Sequence, residues 1–254
     1  MKKEIAAPVF LDCPDKQVYI PGLIYSVVTF FTFPFFLLLY SINVKDPAVL
    51  VWYELIYHGI NFLFVLRFFR EYLRDALDLF GARKQEILSA VKLAVFAILA
   101  VIGLWYLLAK LTRWEPLGIA LFGSLPLSEM DIFLLSSYIP YLNPIPGTIA
   151  MVLLSPLVCS CLYYSVAFAP AYNVRPWLGY LLVAFMLAFP RLCNAFTHWD
   201  PAEEMALYFA QLPFHLIACW SYKKADSIYA PILVLTIVNL LACGRLIILA
   251  LLGI

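Results

Sequence analysis

Residues 87–111 read ILSAVKLAVFAILAVIGLWYLLAKL, from Ile87 to Leu111. It holds two charges, Lys92 near its start and Lys110 at its end, and no proline. A helix needs about 20 mostly apolar residues to cross the hydrocarbon of a bilayer. This run is long enough and mostly apolar. It predicts a transmembrane helix.

Working outward, similar runs fall at Val18–Ile42, Ala48–Phe69, Thr148–Ala169, Trp177–Cys193, Met205–Tyr222 and Ile228–Leu252. Gly244-Arg245 interrupts the last, which reads as one tilted helix or as a helix plus a short eighth piece. The fold class expected is therefore all-α, a polytopic membrane bundle of about seven transmembrane helices. Composition agrees: 65% of the 254 residues are apolar and 13% charged, against roughly 45–50% and about 25% in ordinary globular domains. So few polar groups leave too little to cover a water-facing surface, and the lipid bilayer is the expected partner. The net charge of +1 offers no basic surface for nucleic acid.

Residues 1–17 read as a polar cytoplasmic tail and 18–254 as one transmembrane domain. Within it, residues 70–86 alternate charge with apolar positions (Tyr72, Leu73, Leu77, Phe80) at helical spacing. That pattern predicts an amphipathic helix lying in the membrane interface. Residues 112–147 carry five prolines and read as a loop with short surface helices. Placing the N-terminus in the cytoplasm puts Lys2, Lys3, Lys16, Arg67, Arg70, Arg74, Arg83, Lys84, Arg175, Lys223 and Lys224 inside. Only Lys45, Lys110, Arg113, Arg191 and Arg245 then fall outside, which is the bias of positive-inside proteins. No internal repeat occurs, so an inverted-repeat transporter gains no support.

Polar side chains at membrane depth mark function or helix pairing. Glu54, His58 and Asn61 follow i, i+4, i+7 spacing and share one face of the second span. They either lock the bundle or form a working site. His215 reads as a satisfied packing histidine, and Asn239 as an interhelical hydrogen-bonding group or a ligand contact. The stretch His198 to Glu204 holds an imidazole and three carboxylates, but acids before a helix serve its dipole, so no metal is expected there. The six cysteines, at 13, 159, 161, 193, 219 and 243, match no zinc or disulfide spacing and read as small apolar residues. No phosphate loop, nucleophile elbow or zinc-protease helix is present, and no cofactor is expected.

Residues 148–243 carry a further pattern. Ser155-Pro156-Leu157-Val158 precedes Cys159-Ser160, with Tyr164 four residues on; Phe185 is followed at i+4 by Phe189; Asp226-Ser227-Ile228-Tyr229-Ala230-Pro231-Ile232 precedes Leu235 and Asn239. In order and spacing this resembles the CAAX-protease and bacteriocin-processing family of intramembrane proteases (CPBP, or Abi). The family's motifs are an Ala-Pro start with Glu-Glu-x-x-x-Arg, then Phe-x-x-x-His, then a turn of the kind seen at 226–232 followed by His-x-x-x-Asn. Two spans, an amphipathic stretch and a third span ahead of the first motif match it too, so the resemblance covers roughly residues 18–243.

The resemblance implies a bundle with an intramembrane cavity in a bacterial plasma membrane. It also implies that Cys159, Ser160, Tyr164, Phe189, Leu235 and Asn239 converge on one interior site. The family's paired glutamates, arginine and histidines are absent from those positions, and no metal ligand set is left. Without a base near Ser160, neither water nor serine is activated there. The chain thus reads as a pseudoprotease that binds a hydrophobic or lipidated peptide, a transmembrane helix or a lipid, or acts as a scaffold for another membrane protein. Two alternatives stand beside it. One is an active intramembrane endopeptidase with a displaced site of Glu54, His58 and Asn239; the other is a transporter or channel subunit.

Overall fold

The structure is a computed structural model and describes residue 11 and residues 13–43, 47–112, 149–197 and 201–252. Among the described residues there are seven helical rods and no strand: α1 (Lys16–Asn43), α2 (Pro47–Phe68), α3 (Arg70–Thr112), α4 (residues 149–174), α5 (Pro176–Thr197), α6 (Pro201–Ala225) and α7 (Tyr229–Leu252). Each apolar run of the sequence lies on one of them. The last is a single helix that continues through Gly244-Arg245. The expected loop at 113–147 falls outside the described residues.

Helix α3 joins two expected elements. The amphipathic stretch and the run from Ile87 are two helical segments that meet at a kink at Arg83, whose backbone is non-helical (φ −115°, ψ 23°). Beyond the break, Ile87, Ala90, Val91, Ala94 and Ile98 are buried against the bundle. Leu93, Phe96, Leu99, Leu104, Leu107 and Leu111 are 47–71% exposed. The outward face is as apolar as the inward one and its side chains are bulkier, the reverse of a helix made to face water. Two helical segments among the described residues are long and apolar enough to cross a membrane, Arg70–Leu108 and Val152–Val174. Leu55–Phe68, Pro176–Phe189 and Tyr229–Leu241 are shorter apolar segments.

Before the break, Phe69, Leu73 and Ala76 are buried, and this face docks on α6 and α7. The hydroxyls of Tyr72 and Tyr222 lie 3.0 Å apart, Tyr229 donates to the Leu73 carbonyl at 3.1 Å, and the Phe80 and Tyr229 rings meet edge-on at 5.8 Å. Leu77, grouped with this face by its spacing from Leu73, is 53% exposed, because the packed face is centred between the rows of Leu73 and Ala76. Arg83 reaches Glu86 at 2.9 Å and Asp226 in the α6–α7 turn at 3.9 Å. Asp226 adopts a left-handed backbone (φ 47°), which aspartate tolerates better than most residues.

Helix α4 is the axial rod and packs against α1, α2, α5 and α7. It alternates π-helical stretches (Ile149–Leu154 and Ser160–Phe168) with α-helical ones (Ser155–Cys159 and Ala169–Val174). Each widened stretch ends two residues before a proline, Pro156 or Pro170. A proline has no N–H to give the preceding turn, and its ring crowds that turn's carbonyl, so the ladder slackens to i→i+5 there. Ala169 N–H accordingly bonds the Tyr164 carbonyl. Carbonyls in this region take side-chain hydroxyls: Ser26 of α1 donates to Leu162 at 2.9 Å and Ser165 to Cys161 at 2.6 Å.

The end of the N-terminal segment is tied down rather than solvated. Leu11 is buried; its N–H donates to Asn173 Oδ1 at 2.8 Å, and Asn173 Nδ2 donates to its carbonyl at 3.0 Å. The amide of Asn173 thus serves this backbone as a neighbouring strand would. Leu11 falls within the stretch read as a tail, and its partner lies 162 residues away.

Candidate functional site

The middle of α4 brings the polar interior together. Burial there follows from position: the rod has helices on several sides, so Ser160, Cys161, Leu162, Tyr164 and Ser165 are all within 1% of full burial. A buried phenol and a buried imidazole each need a partner. They find each other, with Tyr164 Oη 2.6 Å from Nδ1 of His215 on α6. The rings meet edge-on, with centroids 6.3 Å apart. When the phenol donates, the ring proton sits on Nε2; in the other tautomer Nδ1–H donates, and both groups stay satisfied. The Cys159 side chain sits against the same hydroxyl. One turn earlier, Ser160 is wholly buried, and among the described residues its hydroxyl has no hydrogen-bond partner.

A second polar group joins α1, α2 and α4. Tyr25 donates to Asn61 Oδ1 at 2.8 Å, and Asn61 Nδ2 donates to the Tyr57 carbonyl at 3.0 Å. Tyr25 also stacks on Phe64 with centroids 3.7 Å apart and planes 6° from parallel. Tyr163 of α4 contacts the side chains of Tyr57 and Thr29. Asn61 therefore bonds both across a helix interface and within its own helix. His58 is half-buried with its ring edge-on to Tyr57 at 5.3 Å. The side chain of Glu54 lies outside the described residues, as do His198–Asp200 and the Glu203 and Glu204 carboxylates.

Of the six positions read from the family pattern, Cys159, Ser160 and Tyr164 share the buried stretch of α4. Leu235 and Asn239 are buried on α7, which packs on the earlier half of α4. Phe189 of α5 lies beside Phe30 of α1, with ring centroids 4.9 Å apart. The residue that the pattern missed is His215. Its signal was present, an imidazole in an apolar helix, but nothing in the sequence names Tyr164 as its partner 51 positions away.

Chemically, the centre is a proton-sharing pair beside a thiol and a closed-in hydroxyl. Tyr164 and His215 use each other, so neither is aimed at Ser160 as a base. Among the described residues no three His, Cys, Asp or Glu side chains lie close enough together to hold a metal ion. The cysteines at 13, 159, 161 and 219 are free thiols. No family model, no curated protein and no solved structure matches the chain.

Proposed function

We propose that this chain is an integral membrane protein of seven spans with a cytoplasmic N-terminus. In this reading it is built on the plan of the CPBP intramembrane proteases and holds an apolar partner without cleaving it. The membrane part is supported by the outward face of α3, where large aliphatic and aromatic side chains stand exposed along the whole apolar run. The functional part is carried by one observation, the closed pair of Tyr164 and His215. At the position where the resembled family has its arginine, this chain has a phenol already bonded inside the protein. A hydrolytic centre needs a base within reach of its nucleophile or water. Here the imidazole of that region is engaged elsewhere. The occupant in this reading is a transmembrane helix, a lipidated peptide or a lipid, held between helices.

The test uses the full-length protein in liposomes with two probes, a prenylated peptide and a labelled single-span helix. Binding is read by fluorescence anisotropy and cleavage by mass spectrometry of the recovered peptides. The expected outcome is saturable binding of at least one probe, with both recovered intact. Cleavage that disappears in Glu54→Gln and His58→Ala would replace this reading with the displaced-site endopeptidase. Saturation by neither probe removes the holding role.

A further inference from the structure

The charged arm at the start of α3 sorts its side chains into three rows. Phe69, Leu73 and Ala76 follow i, i+4, i+7 spacing and are buried against the bundle. One residue later, Arg70, Arg74 and Leu77 repeat the spacing; one later again, so do Glu71, Asp75 and Asp78. Each step of one residue turns the helix by about 100°. The basic row therefore borders the packed face, and the acidic row points away from the molecule. All six are exposed. Leu77, one turn beyond Arg74 on the basic row, is 53% exposed.

The neighbouring surface continues the sign. Lys84 follows on the same helix and is exposed. Lys223 and Lys224 are exposed at the end of α6, and the contact between Arg83 and Asp226 holds that end of the hairpin against the arm. Arg74 has a carboxylate near it, Asp75 at 3.8 Å, but both side chains are more than two-thirds exposed (72% and 71%). An ion pair so open to water is weak and leaves the guanidinium available.

We infer that the row of Arg70, Arg74 and Leu77 binds anionic phospholipid headgroups, with the guanidinium groups on the phosphates and Leu77 against the first acyl carbons. The occupant follows from charge complementarity. Guanidinium groups match phosphate oxygens in fork geometry, a long arginine stem keeps its head at the lipid–water boundary, and the acidic row is turned away from the same phosphates. The inference rests on the proposal that the chain is a membrane protein.

The experiment keeps the two apart. Full-length protein in mixed micelles is titrated with phosphatidylglycerol, or with phosphatidylcholine of the same chains, and Tm and the lipid retained in native mass spectrometry are recorded. Phosphatidylglycerol is expected to raise Tm and be retained, and phosphatidylcholine much less. Arg70→Gln/Arg74→Gln should weaken the preference, on the order of five-fold for each arginine removed. The Arg70→Lys/Arg74→Lys variant should keep most of it, and Glu71→Gln/Asp78→Gln should not reduce it. Equal stabilisation by the two lipids overturns the inference, as does an undiminished preference in the glutamine variant. A Tm rise reproduced by inorganic phosphate alone overturns it as well. Resistance of wild type and glutamine variant to alkaline carbonate extraction is read separately. If wild type is extracted, the membrane reading falls whatever the lipid titration shows.

Discussion

Tyr164 and His215 each solve the other's burial problem. Leaving a buried polar group without its partner costs about 1–3 kcal/mol. Tyr164→Phe keeps the ring and strands Nδ1 of His215, so it is expected to lower Tm in detergent by roughly 2–10 °C. His215→Leu strands the phenol with a similar loss. The double variant should lose clearly less than the sum, because the second change removes the group orphaned by the first. Scanning fluorimetry on the four proteins checks this, and strictly additive losses would mean that the 2.6 Å contact contributes nothing to stability.

Between elements, a glycine at Gly179 permits the close approach of α5 to α4, whereas Gly103 stands in open space. A Cβ at Gly179 of α5 would meet the Phe168 ring at 2.9 Å and Tyr172 Cβ at 3.0 Å. Phe168 has no room to yield, being fully buried with Tyr172, Tyr180 and Tyr222 around its ring. Gly179→Val should therefore destabilise by about 1–3 kcal/mol or more. A Cβ at Gly103 of α3 would meet nothing within 4 Å, and a glycine inside a helix is less stable than alanine by roughly 0.5–1 kcal/mol. Gly103→Ala should raise Tm slightly. Opposite signs at two glycines of similar sequence context would show that packing, not helix propensity, governs them; matching signs would deny the α4–α5 contact.

For the whole molecule the consequential property is orientation. Eleven basic residues assigned to one side against five on the other predict a cytoplasmic α6–α7 turn and an external Lys45. A cysteine replacing Lys224 should react with a membrane-impermeant maleimide only in inverted vesicles, and one replacing Lys45 only in right-side-out vesicles. The native thiols Cys161 and Cys219 are fully buried, and the other four cysteines, among them the half-buried Cys13, are replaced by serine in both proteins so that only the introduced thiol is read. Labelling of Lys224→Cys in right-side-out vesicles reverses the topology.

Helix placement was legible in the sequence because it follows from local physics. Apolar runs such as 87–111 and 228–252 form helices whatever surrounds them, since each helix satisfies its own backbone. The polar face at His58 and Asn61 was legible for the same reason, as side-chain rows repeat at fixed spacing. What the sequence could not show is which rows meet. Asn61 takes Tyr25 of α1 as well as the Tyr57 carbonyl of its own helix, Asn173 clamps Leu11, and His215 takes Tyr164. The two elements expected at 70–86 and 87–111 meet at a kink at Arg83, whose direction no local pattern fixes. Such pairings depend on the relative rotation and depth of whole helices, which many weak contacts set together. Local pattern places the seven helical rods seen among the described residues; that the centre of α4 faces an imidazole comes from the tertiary structure alone, because that contact joins residues whose separation along the chain carries no information about their separation in space.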